Sequence, residues 1–86
     1  MKNHVEKIVE LVKWIPPKDI PYATMFIENR DFESLRDLVK SDITIIRRKR
    51  KESLAEQLEM LLQLKAEIDC YLLLLGTDDG DTANLW

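Results

Sequence analysis

The sequence predicts an all-α protein in which short N-terminal helices pack on one long C-terminal helix, as a helical bundle or hairpin with a coiled-coil-like seam. Three observations carry this expectation. No glycine or proline occurs between Tyr22 and Leu75, and those two residues are the ones that most readily interrupt a helix. Val5, Ile8, Val9 and Val12 recur at i, i+3, i+4 and i+7, which is one face of a helix. Further on, Leu54, Leu58, Leu61, Ile68, Leu72 and Leu75 alternate steps of four and three if Lys65 takes one slot, the spacing of a helix-packing seam.

Residues 3–14 read as the first amphipathic helix, with Glu6, Lys7, Glu10 and Lys13 largely off its apolar face. Pro16 drives Ile15 out of the helical region and ends it. The stretch Ile15-Pro16-Pro17-Lys18-Asp19-Ile20-Pro21 is a stiff connector. Asp19 is placed to cap a second helix over about residues 20–28, with Pro21 in a first turn that does not need its N–H. Asn29-Arg30 forms a turn, and Asp31 caps a third helix from Phe32 to about Lys40 whose inward residues are Phe32, Leu35, Leu38 and Val39. Ser41-Asp42 either caps a new helix or lies inside a continuing one. The β-branched stretch Ile43-Thr44-Ile45-Ile46 has no second strand to pair with, so helix is the expectation there too. The last helix then spans about residues 43–75, roughly 50 Å at 1.5 Å per residue. Gly76 stands where a left-handed cap ends it.

This gives a single helical domain over residues 1–76 and an acidic tail over 77–86, expected to be disordered. Eighty-six residues bury a limited core, and such chains lean on disulfides, metals or association. Cys70 is the only cysteine and His4 the only histidine, so association with another copy or a protein partner is what remains. No apolar run approaches the roughly 20 residues that span a bilayer. A charged N-terminal stretch and one unpaired thiol fit a cytoplasmic setting.

The net charge of −3 conceals an uneven distribution: −1 over residues 1–46, +5 over the run Arg47-Arg48-Lys49-Arg50-Lys51, and −7 over residues 52–86. At the start of a helix such a run opposes the macrodipole, which argues either for a use or for a helix that begins near Phe32. The uses open to it are an acidic protein, a nucleic acid or an anionic surface. A helix-turn-helix reading of residues 20–40 fares poorly, since Glu33 and Asp37 on the second helix would face phosphates. An antiparallel dimer through residues 43–75 is favoured over a parallel one, which would set the basic run beside its own copy.

No constellation suggests catalysis. Glu52, Glu56 and Glu59 lack the Glu-x-x-His partners of a bundle metal site. His4 has no nucleophile pattern, and Asp69 beside Cys70 disfavours a thiolate. Glycines at 76 and 80 alone make no phosphate loop. The expectation is therefore no enzyme, no cofactor, no metal and no small-molecule substrate. The tail is the remaining candidate, with three aspartates ahead of a Leu85-Trp86 anchor. Over about ten residues it is similar to the acidic tips of bacterial single-stranded-DNA-binding proteins, a resemblance that implies partner recruitment. The overall expectation is a small non-catalytic assembly or adaptor protein working through helix–helix self-association or a protein partner. A nucleic-acid-associated regulator using residues 47–51 is the alternative.

Overall fold

Four helices form the protein in the computed structural model, which describes residues 3–75: α1 (His4–Leu11), α2 (Ile20–Glu28), α3 (Phe32–Lys49) and α4 (Ala55–Leu75). Single 3-10 turns lie at Val12–Trp14, Pro17–Asp19 and Glu52–Leu54, and no strand occurs among the described residues. The sequence-predicted acidic tail, its Leu85 and Trp86 anchor and the Gly76 cap lie outside the described residues.

Local chemistry accounts for most boundaries. The Asn3 side chain accepts a hydrogen bond from the Glu6 N–H at 2.8 Å and caps α1. Ile15 is extended before Pro16, as the proline requires. Asn29 ends α2, and Arg30 then takes a left-handed conformation with φ 59°. The Arg30 N–H reaches Ile27 O and the Asp31 N–H reaches Phe26 O at 2.8 Å, the paired bonds of a Schellman turn. Asp31 caps α3, accepting from the Ser34 N–H at 3.2 Å and from the Ser34 hydroxyl at 2.7 Å.

Two expectations about the C-terminal half are corrected. The third helix does not stop near Lys40; it runs through Ser41-Asp42 to Lys49. The expected single helix over 43–75 is broken at Arg50, whose φ of 50° and ψ of 38° put it in the left-handed region, followed by an extended Lys51. α3 and α4 therefore form an antiparallel hairpin. Charge explains the position of the break. Arg47, Arg48 and Lys49 lie in the last turn of α3, and Glu52 and Glu56 open the segment that becomes α4. Bases at a helix end and acids at the next helix start both complement the macrodipole, so the feared opposition to it does not arise.

α4 is the long C-terminal helix against which α3 and α1 pack. The shared core holds Ile8 and Val12, then Ile15 and Ala23, then Phe32, Leu35, Val39, Ile43 and Ile46 of α3, and Leu61, Leu64, Ile68 and Leu72 of α4. Register across the hairpin is marked by Arg36 to Asp69 at 3.4 Å. Lys65 also reaches Asp69, at 2.8 Å along α4. α1 lies antiparallel to α4, held by His4 to Glu67 at one end and by the Gln57 amide donating to Trp14 O at 2.6 Å at the other. α2 packs on α3 and contributes only Ala23 to the buried core.

Candidate interaction surfaces

The leucine seam predicted for self-association is the first thing the hairpin relocates. Leu61, Ile68 and Leu72 are buried against the chain's own α1 and α3. Leu54 and Leu58 are half-buried on the same core, and Leu75 is exposed at the end of α4. The reason is the turn at Arg50, which folds α3 back over the face that a continuous rod would have left open. While this fold stands, Leu61, Ile68 and Leu72 are closed to a partner, and any association must use another side.

That other side is the outward face of α4. Successive residues turn by 100°, so Leu62, Gln63, Ala66, Cys70, Leu73 and Leu74 fall opposite the buried Leu64–Ile68 line. All six are exposed, with Leu73 at 63% and Leu74 at 67%. None carries a charge. Outward positions of the other helices differ sharply: Glu6, Lys7 and Glu10 on α1, and Glu33, Asp37 and Lys40 on α3, are exposed and charged. Between residues 62 and 74 this outward side of α4 is uncharged, although exposed Glu59 falls on the same face one turn earlier and Lys65, Glu67 and Asp69 stand at its flanks; the remaining sides of the helix face its neighbours. α1 and α3 cover two of those sides. Lys40, Arg47 and Lys65 border the stripe toward α3, and Lys7, Glu10 and Glu67 border it toward α1.

The basic run occupies the hairpin apex. Arg47, Arg48, Lys49, Arg50 and Lys51 are all exposed. Because the helix ends at Lys49, the five do not wind around a rod but crowd one end of the bundle. Lys18 joins them, lining a cleft with Lys49.

That cleft, about 190 Å³, lies between the Pro16-Pro17 connector, α3 and the start of α4. It contains the one charged residue of the described core, Asp42, which is 3% exposed. Its Oδ2 is buried without a hydrogen-bond partner. Burial, then the hydrogen bond and the negative charge of Asp19, push the Asp42 carboxyl up to about 7, against a smaller opposing pull from Lys18. Asp19 stands at the expected N-cap of α2 but makes no capping bond with its side chain. Sequence reasoning placed Asp42 at a helix joint and missed its burial. The available signal was the spacing Leu35, Val39, Asp42, Ile46, which puts it on the inward line of α3.

Other residues weighed from the sequence fall as follows. His4 is half-buried in its pairing with Glu67 rather than fully solvated, and Cys70 is exposed on the α4 stripe. Glu52, Glu56 and Glu59 are exposed. No group of three His, Cys, Asp or Glu among the described residues could hold a metal ion, and no helix among them is long and apolar enough to cross a membrane. Neither a protein-family model, nor a curated protein, nor a solved structure matches this chain.

Proposed function

We propose that this chain is a non-catalytic assembly or adaptor protein whose working surface is the outward face of α4, and that the occupant of that face is a second copy laid antiparallel. The observation carrying the reading is the uncharged stripe Leu62, Ala66, Cys70, Leu73 and Leu74 on a helix whose neighbours expose charge. Small residues at 66 and 70 let two α4 helices approach closely in the middle, with leucines closing each end. An antiparallel pairing centred near residue 68 brings Leu62 of one copy toward Leu74 of the other. It also keeps the two basic apices at opposite ends, whereas a parallel pairing sets five positive charges beside five.

The association is weak. Covering a half-exposed leucine gains on the order of 1 kcal/mol, and forming a dimer costs at least about 4 kcal/mol in lost freedom. Sedimentation across a dilution series reaching the order of 100 μM is therefore the test. The reading expects mass to rise toward that of a dimer, and Leu73→Lys with Leu74→Lys to abolish the rise without changing helicity. Wild type remaining monomeric throughout, or a double variant that associates equally well, removes it. Orientation has its own readout. With Cys70→Ser in place, mild oxidation that efficiently joins Leu62→Cys to the same position of a second copy argues for parallel helices, because an antiparallel pair centred near residue 68 holds the two copies of position 62 roughly 18 Å apart along the axis.

A second reading rests on the crowding of five exposed bases at the hairpin apex, which suits a polyanion better than a helical spiral of charge does. Nucleic acid held through several phosphates would be released steeply by salt, whereas the apolar α4 face is far less salt-sensitive. A charge-reversed apex that keeps its assembly but loses nucleic-acid retention favours this second reading.

A further inference from the structure

We propose that the groove between α3 and α4 is the seat of the chain's own residues 76–86, with Asp78, Asp79 and Asp81 on its lysines and Leu85-Trp86 on its apolar end. The groove, about 330 Å³, is lined by Lys40, Ile43, Thr44 and Arg47 of α3 and by Leu62 and Lys65 of α4. Three of these six are cations and none is an acid. Lys40 and Arg47 are exposed, and Leu62 is 38% exposed. Lys65 meets Asp69 at 2.8 Å, but Asp69 also takes Arg36, and an ammonium has three N–H donors. The groove therefore asks for negative charge followed by apolar surface.

Residues 76–86, which lie outside the described part of the chain, carry three acids, no base and one large apolar pair. Their order matches the order of the groove. Measured back along α4 from Leu75, Lys65 lies about 15 Å away and Leu62 about 20 Å, at 1.5 Å per residue. A chain turning back from Leu75 spans at most about 3.3 Å per residue, so Asp81 reaches about 20 Å and Trp86 about 36 Å. The acids thus come level with Lys65 and Lys40. Leu85-Trp86 comes level with Leu62, Ile43 and Arg47, whose guanidinium suits the face of an indole.

The alternative seats on the bundle do not fit. The apex turn Lys49-Arg50-Lys51 leads into the start of α4, and Ala55 is already about 30 Å from Leu75, beyond the span to Asp81. The groove on the other side of α4 is within reach, but it sets Glu10 and Glu67 beside Lys7, and like charge turns an acidic segment away. Because the segment is tied to α4, it meets the groove at high effective concentration and modest contacts suffice. The contact forms within one chain and needs no second copy. It keeps outside acidic partners off Lys40, Arg47 and Lys65 until it is displaced.

A carbodiimide, which joins a carboxylate to an amine only where the two touch, tests this on the full chain at about 1 μM, about a hundredfold below the range set for association. Lys7 is the matched control, since it lines the opposite groove with Gln63 and Ala66, level with Lys65 along α4. The expected amides join Asp78, Asp79 or Asp81 to Lys40 or Lys65 of the same chain, at least about tenfold over those to Lys7. Trp86→Ala is expected to cut that preference at least about fivefold. Equal yields at Lys7 and at Lys40 and Lys65 in the wild type overturn the proposal. So does a preference that Trp86→Ala leaves unchanged, or amides that join only two different chains in a mixture of light and isotope-labelled protein.

Discussion

Phe32 and Tyr71 meet edge to face, with ring centroids 5.0 Å apart and planes at 83°, where the first residue of α3 closes over the last turns of α4. The contact lies at the open end of the hairpin, the end farthest from the covalent turn at Arg50. It fixes the register that Arg36 and Asp69 continue one turn further in. Phe32→Ala leaves a cavity at this end and is expected to lower stability by about 3–4 kcal/mol. That is a large part of the total available to a chain of this size, roughly 4–13 kcal/mol. Tyr71→Leu keeps most of the volume and loses mainly the ring geometry, about 1 kcal/mol. Urea unfolding of the two variants checks the order.

The turn at Arg50 predicts an unusual stabilising substitution. A residue with a Cβ in the left-handed region is strained, and glycine is not. Arg50→Gly is expected to raise stability by about 1 kcal/mol, although glycine within an uninterrupted helix would lower it by a similar amount. A fall in the urea midpoint of Arg50→Gly would indicate a helix running straight through this position.

Bases in the last turn of α3 stabilise it through the helix dipole. Arg48→Glu is expected to destabilise by about 0.5–1 kcal/mol at low salt, and the difference should shrink toward zero near 1 M salt as charges are screened. Thermal unfolding at two salt concentrations measures both halves of this statement.

Asp42 gives the fold a pH dependence of definite sign. Its carboxyl is raised in the folded chain from 3.8 to about 7, so between those values the folded state holds a proton the unfolded state has lost. Stability therefore falls as pH climbs from about 4 to about 7 and levels off above, where both states are ionised. At ~1.36 kcal/mol per pH unit the fall is on the order of 2–4 kcal/mol. Asp42→Asn removes this slope and is expected to be the more stable protein at pH 8. A slope unchanged in Asp42→Asn contradicts the assignment.

Much of the fold is readable from the chain because its signals are local. Pro16 ends the first helix, Asp31 caps the third, and Val5, Ile8 and Val12 of the predicted face at i, i+3 and i+7 turn inward on the first helical segment, whereas Val9 at i+4 is 52% exposed. Of the six seam residues, Leu61, Ile68 and Leu72 are buried, Leu54 and Leu58 are half-buried and Leu75 is exposed, and the neighbour that covers the buried ones is the chain itself. The break at Arg50 was harder to see because no glycine or proline marks it. What marks it is the change from five bases to Glu52 and Glu56, which reads as one helix ending and another starting once the dipole is considered. The interaction surface was hardest of all. Leu73 and Leu74 lie behind the predicted seam, and their exposure follows only once α1 and α3 are known to occupy the other sides of α4. Likewise Asp42 looks like a cap until α3 is seen to continue through it.

The fold-back at Arg50 decides which leucines are core and which are surface, so its most direct test is a distance across the hairpin. Spin labels on native Cys70 and on Asp37→Cys, in chains diluted with unlabelled protein, report the separation within one molecule. Arg36 and Asp69 lie 3.4 Å apart at their side-chain tips, so a label separation below about 25 Å is expected, allowing for helix diameters of about 10–12 Å. A single distribution near 50 Å, the length of 33 residues at about 1.5 Å each in one uninterrupted helix, would contradict the hairpin and return the seam to a partner.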